Sequence, residues 1–293
     1  MKKTILVTGA NGQLGRAIIQ QYGNNTDIEL VNTDVAETEN IKSLDIANID
    51  EVIKMMNEIK PYAVINCAAY TNVDGCENET DSAYRINAIG PRNLSIAATK
   101  VNAKMVHIST DYVFAGDGTQ PYTEFDATNP KSAYGRTKLA GEEFVKQFSD
   151  KFFIIRTAWL YGDGKNFVKT MLRLSESNDE IKVVDDQIGS PTSTVVLASI
   201  IDSLIWTDNY GVYHGTCEGQ CSWADFTEEI FRLAGKSTKV KRITSEEYQA
   251  MYPASAKRPA YSVLDNYMLR LTNGYVADDW KSAIAEYLKV NNG

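Results

Sequence analysis

The chain has 293 residues, 43% hydrophobic and 23% charged, with a formal net charge of −8. That length supports one large core plus a smaller lobe, and the acidic balance excludes nucleic acid or a membrane surface as general partners, since both select clustered Lys and Arg. The apolar run after two N-terminal lysines is only four residues, no 18-residue apolar stretch exists, and the cysteines (Cys67, Cys76, Cys217, Cys221) have no metal or redox spacing, so the default is a cytoplasmic protein with free thiols.

The first predicted element is a buried strand, Thr4-Ile5-Leu6-Val7, running straight into Thr8-Gly9-Ala10-Asn11-Gly12-Gln13-Leu14-Gly15 and a helical stretch. In such a dinucleotide turn Gly9 permits the tight bend, Gly12 lets backbone approach a pyrophosphate, and Gly15 lets helix pack on strand. The spacing is Gly-x-x-Gly-x-x-Gly, and glycines can also merely close a strand-helix corner. A second strand, Glu29 to Asn32, ends near Asp34, which lies 19 residues past Gly15, about where an acid meets the adenosine ribose.

Apolar runs then alternate with helical stretches: Ala63 to Asn66, Met105 to Ile108, and Phe152 to Ile155. This predicts an α/β fold, a Rossmann-type doubly wound parallel sheet with helices on both faces. Such sheets bind ligands beyond the carboxyl ends of their strands, where Asn66 to Tyr70, Ser109-Thr110 and Thr157 to Trp159 fall. Val195 to Trp206 reads as an amphipathic helix interrupted by Asp202, and Gly211 to His214 as a late strand. From about Ser222 onward the pattern reads as helical segments separated by turns. The expected division is a dinucleotide-binding domain of residues 1–160, rejoined by 193–215, and a C-terminal substrate-binding lobe of 161–192 and 216–293.

Tyr134-Gly-Arg-Thr-Lys138 carries the chemistry. In a helix, residues at i and i+4 share one face, and an ammonium beside a phenol lowers its pKa. Thr110, 24 residues upstream and ending a strand, can bond the same substrate oxygen and steady the charge that grows as hydride arrives. Alone, Tyr-x-x-x-Lys also occurs on solvated helix faces. His107 and His214 read as hydrogen-bonded core or edge residues, and Glu77 to Asp81 as a helix start or solvated loop.

With the glycine turn, Asn66-x-Ala-Ala, Asn87, Ser109-Thr110 and Tyr134-x-x-x-Lys138 in order, the chain resembles the extended short-chain dehydrogenase/reductase family over nearly its whole length. Asn66 to Asp74, Ser109 to Phe114, Tyr134 to Glu142, Arg156 to Trp159 and Asp186 to Thr192 resemble its dTDP-4-dehydrorhamnose reductase branch. The resemblance implies NADH- or NADPH-dependent reduction of the 4-keto group of dTDP-4-dehydro-L-rhamnose, the last step in making activated rhamnose for surface polysaccharide. It further implies Tyr134 as proton donor, Lys138 on the phenol and the nicotinamide ribose, and Thr110 on the keto oxygen. Asn11, Gly12, Gln13 and Leu14 would cover the pyrophosphate, Asp45 and Ile46 flank the adenine, and Ala68, Ala69 and Tyr70 border the ribose, with Asn87 also on the cofactor side. Thr71, Val73, Asp111, Tyr112 and Trp159 would line the sugar pocket, although Trp159 also reads as a core aromatic. Asn166, Gln187 and Arg258 are candidates for the nucleotide diphosphate, for which Arg258 has the matching charge.

Some relatives dimerise around a carboxylate-bound metal through a glutamate two positions past the third glycine. Ala17 stands there, so no metal is expected, and monomer and dimer both stay open. Two other readings share the fold: an epimerase or dehydratase, which regenerates its nicotinamide each turnover, and a non-catalytic regulatory subunit. The intact Thr110, Tyr134 and Lys138 argue against the second.

Overall fold

The computed structural model describes residues 2–291. From the N-terminus the chain runs β1 (Lys3–Thr8), α1 (Gln13–Tyr22), β2 (Ile28–Asp34), β3 (Lys42–Ser43), α2 (Ile49–Ile59) and β4 (Ala63–Asn66). Two short helices, α3 (Val73–Asn78) and α4 (Thr80–Tyr84), and a π-helical turn (Arg85–Ile89) lead into α5 (Gly90–Lys100), β5 (Lys104–Thr110), α6 (Ala133–Phe148) and β6 (Phe152–Thr157). There follow β7 (Leu160–Tyr161), α7 (Phe167–Ser175), β8 (Glu180–Val184), β9 (Ile188–Gly189) and β10 (Thr192–Ser193), then α8 (Thr194–Ile205) and β11 (Gly211–His214). The last elements are β12 (Cys221–Ser222), α9 (Trp223–Leu233), β13 (Lys239–Ile243), α10 (Ser245–Met251), α11 (Tyr267–Asn273) and α12 (Trp280–Asn291).

Seven strands pair in the order β11-β6-β5-β4-β1-β2-β3, all parallel. Because successive strand residues point to opposite faces, each apolar run feeds two cores. Ile5, Val7, Ile65, Val106 and Ile155 pack with Leu14 and Ile18 of α1 and Leu197 and Ile201 of α8. Leu6, Val64, Met105 and Ile154 face the other way, onto Val52 and Met56 of α2, Leu94 of α5 and Val145 of α6. The order reverses between β1 and β4, which opens a crevice at their carboxyl ends.

Two expectations need correction. The α8 helix is not interrupted at Asp202, whose carboxylate instead accepts hydrogen bonds from the Tyr22 hydroxyl (2.8 Å) and the Trp206 indole (2.8 Å). The region after Ser222 is not only helices and turns: β13 pairs in parallel with β8 in a separate two-stranded sheet beneath α9. Lys239-Val-Lys-Arg-Ile243 carries three charges, and only Ile243 is buried, so the strand exists through its pairing, without a local apolar signal. Among the described residues no helix is long and apolar enough to cross a membrane.

Candidate active site

The crevice is a cleft of about 1010 Å³ running from the first glycine turn to the start of α9. Gly9 has a left-handed φ of +66°, and a Cβ there would stand 2.6 Å from the Ala68 nitrogen, so only glycine lets β1 and the segment after β4 meet. A Cβ at Gly15 would lie 2.6 Å from the Ala10 Cα. Gly12 caps α1 without a side-chain bond, leaving the first-turn N–H groups open to an anion. At the wall, Asp34 accepts the Asn11 N–H (3.0 Å) and the Val35 N–H (2.8 Å). Asp45, held by Arg85 at 2.7 Å, and Ile46 follow β3 on the same wall. A glycine cradle, an uncapped helix start and a braced carboxylate fit a dinucleotide.

Arg16 lies in the lining too, but it is already engaged: its guanidinium donates to the Asn11 carbonyl and pairs with Asp163 at 2.9 Å. Ala68, Ala69 and Leu14 line the cleft, whereas Asn11, Gly15 and Tyr70 are not part of its surface. Asn87 is another departure from expectation. Fully buried in the π-helical turn, it accepts the Tyr70 N–H (2.8 Å) and donates to the Tyr70 carbonyl (3.1 Å) and the Thr137 hydroxyl (3.1 Å). It braces the cofactor wall from behind.

Ser132 caps α6 by accepting the Gly135 N–H at 3.1 Å, which places Tyr134 in the first turn and Lys138 one turn on, both facing the cleft. β5 ends at Thr110, whose hydroxyl donates to Asp111 at 2.8 Å and accepts the Tyr112 N–H at 3.2 Å. Burial and the Asp111 charge push the Tyr134 phenol well above its ordinary pKa, while a hydrogen bond with Thr110 acts in the opposite direction. The expected lowering of that phenol by Lys138 is not found. Lys138 Nζ donates to the Ile108 carbonyl at 2.6 Å, and burial draws its own pKa down to about 8 against the charges of Glu142 and Cys67. Burial also raises the Asp111 carboxyl to about 6.

Behind Thr110 lies a buried ion pair. Glu142 accepts the Arg156 Nε (2.9 Å) and Nη2 (2.7 Å) and the Ser109 hydroxyl (2.5 Å). His107 bonds Asn66 through Nδ1 at 3.1 Å, and His214 bonds the Asp265 carbonyl at 3.0 Å. Burial holds both well below the usual histidine range, His214 at about 3, so they are neutral core residues.

On the far side, Thr71, Val73, Asp111, Tyr112 and Trp159 all line the cleft. Trp159 has φ +48° and stacks on Trp223 with centroids 3.5 Å apart and planes within 5°. Trp223, which lines the same wall, carries no signal in the sequence, because only the fold brings it there. Arg258 reaches Tyr112 (3.4 Å) and Asp74 (3.3 Å) beside the cleft. Asn166 and Gln187 do not reach it. Asn166 caps α7 and donates to the Gly164 carbonyl (3.2 Å) and Tyr287 (3.1 Å), and Gln187 donates to Ser245 at 2.9 Å.

The sequence matches the family described as RmlD substrate binding domain over residues 1–292. A dTDP-4-dehydrorhamnose reductase structure from Clostridium acetobutylicum superposes with a TM-score of 0.94 at 54% identity, covering 99% of this chain and 100% of that one. The chain belongs to the dTDP-4-dehydrorhamnose reductase family. The Bacillus anthracis dTDP-4-dehydrorhamnose reductase in complex with NADP superposes at TM-score 0.91 and 44% identity, covering 99% and 100%. The Bacillus subtilis spore coat polysaccharide biosynthesis protein SpsK is 42% identical over 97% of this chain and 96% of its own.

Proposed function

We infer that the protein is an oxidoreductase that uses NADH or NADPH to reduce the 4-keto group of dTDP-4-dehydro-L-rhamnose, giving dTDP-L-rhamnose for surface polysaccharide. The observation that carries this reading is the convergence of Thr110, Tyr134 and Lys138 on one cleft whose other end is a dinucleotide cradle. The bound dihydronicotinamide supplies the hydride. Tyr134, kept neutral by burial, gives its proton to the developing C4 oxygen. The Thr110 hydroxyl, turned from Asp111 to that oxygen, donates to it before and during transfer. Lys138, one helical turn on and facing the same cleft, would hold the nicotinamide ribose.

The division of labour follows the chain. Residues 1–160 with 193–215 hold the dinucleotide, and 161–192 with 216–293 hold the sugar nucleotide. Trp159 and Trp223 offer a flat apolar wall to the deoxyhexose, and Arg258, which reaches the cleft residue Tyr112, is the guanidinium assigned to the diphosphate. Purified protein, NADH and enzymatically generated dTDP-4-dehydro-L-rhamnose should show loss of the NADH absorbance, one equivalent per dTDP-L-rhamnose formed, and none without the sugar. Sugar conversion with no NADH consumed would select an epimerase instead. Folded protein that binds NADH but gives neither change would overturn the reductase reading in favour of a regulatory one.

A further inference from the structure

Tyr134, Lys138 and Glu142 follow one another at four-residue intervals along α6, so they lie on one helix face. Tyr134 and Lys138 line the cleft; Glu142 is wholly buried and outside its lining. Two successive residues of this face grip the end of β5. Lys138 donates to the Ile108 carbonyl at 2.6 Å, and Glu142 accepts the Ser109 hydroxyl at 2.5 Å. The next residue is Thr110. Glu142 is itself fixed by Nε and Nη2 of Arg156, which stands beside Ser109 in the β5/β6 register and is 3% exposed. The other side of Arg156 lies over the Phe114 ring at 5.1 Å.

Stability does not account for such a pair. Buried ion pairs lose so much hydration that apolar residues of similar volume often stabilise a protein as well or better. What the pair supplies is a fixed geometry: a two-toothed carboxylate held by a planar guanidinium tolerates little rotation, and Ser109 is tied to it one residue from the reacting hydroxyl. We propose that Glu142 is a positioning residue for the reduction, fixing Ser109 and through it the Thr110 hydroxyl against Tyr134. The proposal rests on the roles given above to Thr110 and Tyr134.

The test replaces the pair together, Glu142→Leu with Arg156→Met, so that neither charge is left buried alone. The doubly substituted protein should unfold cooperatively and bind NADH within about twofold of the parent, while kcat falls about ten- to a hundredfold, the scale on which misplacement by ~1 Å acts. KM for the sugar nucleotide should move less than about threefold. In a Thr110→Val background the same exchange should cost less than about threefold, because two changes acting through one group do not add. A folded double variant with kcat within about threefold of the parent overturns the proposal. So does an undiminished loss in the Thr110→Val background, which marks general disruption. Should the apolar pair fail to fold, Ser109→Ala cuts only the link and keeps the ion pair. It should lose about three- to tenfold in kcat with NADH affinity unchanged, and an unaltered kcat overturns the proposal equally. Failure of the reductase reading shows separately, as a parent protein that consumes no NADH with the sugar nucleotide, and takes this proposal with it.

Discussion

Tyr134 is the residue on which the chemistry turns, and its environment suits donation. A buried phenol beside Asp111 is held in its protonated form, which is the form a reductase needs at the moment the C4 oxygen gains charge. Tyr134→Phe keeps the ring and its edge-on contact with Tyr112 at 5.5 Å but removes the proton. Turnover should drop on the order of a hundred- to ten-thousand-fold with NADH binding preserved, as steady-state rates and NADH fluorescence titration will show. Activity within threefold of the parent would remove Tyr134 from the mechanism. Asp34 bears on cofactor choice. Both of its oxygens already accept backbone N–H groups, so its charge is fixed at the wall where a 2′-phosphate would come. Two like charges 4 Å apart cost roughly 1 kcal/mol in water and about 4 at an effective dielectric of 20. Arg16, engaged with Asn11 and Asp163, can offset only part of that repulsion. NADH should therefore serve at least as well as NADPH, and Asp34→Ala should shift the ratio of their kcat/KM values toward NADPH. A strong NADPH preference that survives the substitution would show that Asp34 does not select.

At the scale of elements, α9 is the surprise. Its first residue, Trp223, is set by a capping box in which Ser222 accepts the Asp225 N–H and Asp225 accepts the Ser222 N–H, both at 3.0 Å. Arg242 of β13 then bonds Asp185, Asp225 and Glu228 at 2.7 to 2.8 Å. This fixes the helix start from which Trp223 stacks on Trp159. Trp223→Ala should raise KM for the sugar nucleotide about tenfold, matching the roughly 0.5–1.5 kcal/mol of an aromatic pair plus lost wall area, while the NADH dissociation constant stays put. An unchanged sugar KM would mean that the indole pair is only packing. Trp159 was legible because it closes a motif beside β6. Trp223 and β13 were not, since one has no motif and the other has three charges in five residues. Asn166 and Gln187 were misplaced for a related reason: polar residues can serve caps and turns as readily as ligands.

Across the whole molecule, the strands of the central sheet could be read because helices cover both faces, so Thr4 to Val7, Ala63 to Asn66 and Phe152 to Ile155 are apolar without alternation. The same burial creates a pH dependence. His214, at about 3 in the fold against about 6.5 unfolded, contributes stability above pH 6.5 that is lost as pH falls, because only the unfolded chain takes up the proton. Between pH 7.5 and 5 this amounts to about 2 kcal/mol, and His107 acts in the same direction. Asp111, raised to about 6, opposes them by roughly 1 kcal/mol over that range, since its protonated form is favoured by the fold. Urea unfolding should therefore give a lower free energy at pH 5 than at pH 7.5, and equal or greater stability at pH 5 would contradict neutral buried histidines.

The contact between Arg16, which lines the cleft, and Asp163 joins the start of α1 to a loop 147 residues further along the chain. Its ion pair is half in solvent, with Arg16 39% and Asp163 67% exposed, so with the bond from Arg16 to the Asp163 carbonyl it is worth about 1–2 kcal/mol. A fastening of that strength is shut only about five- to thirtyfold more often than it is open. The fastening therefore ties the start of α1 to that loop loosely enough to reopen in the ordinary course of thermal motion.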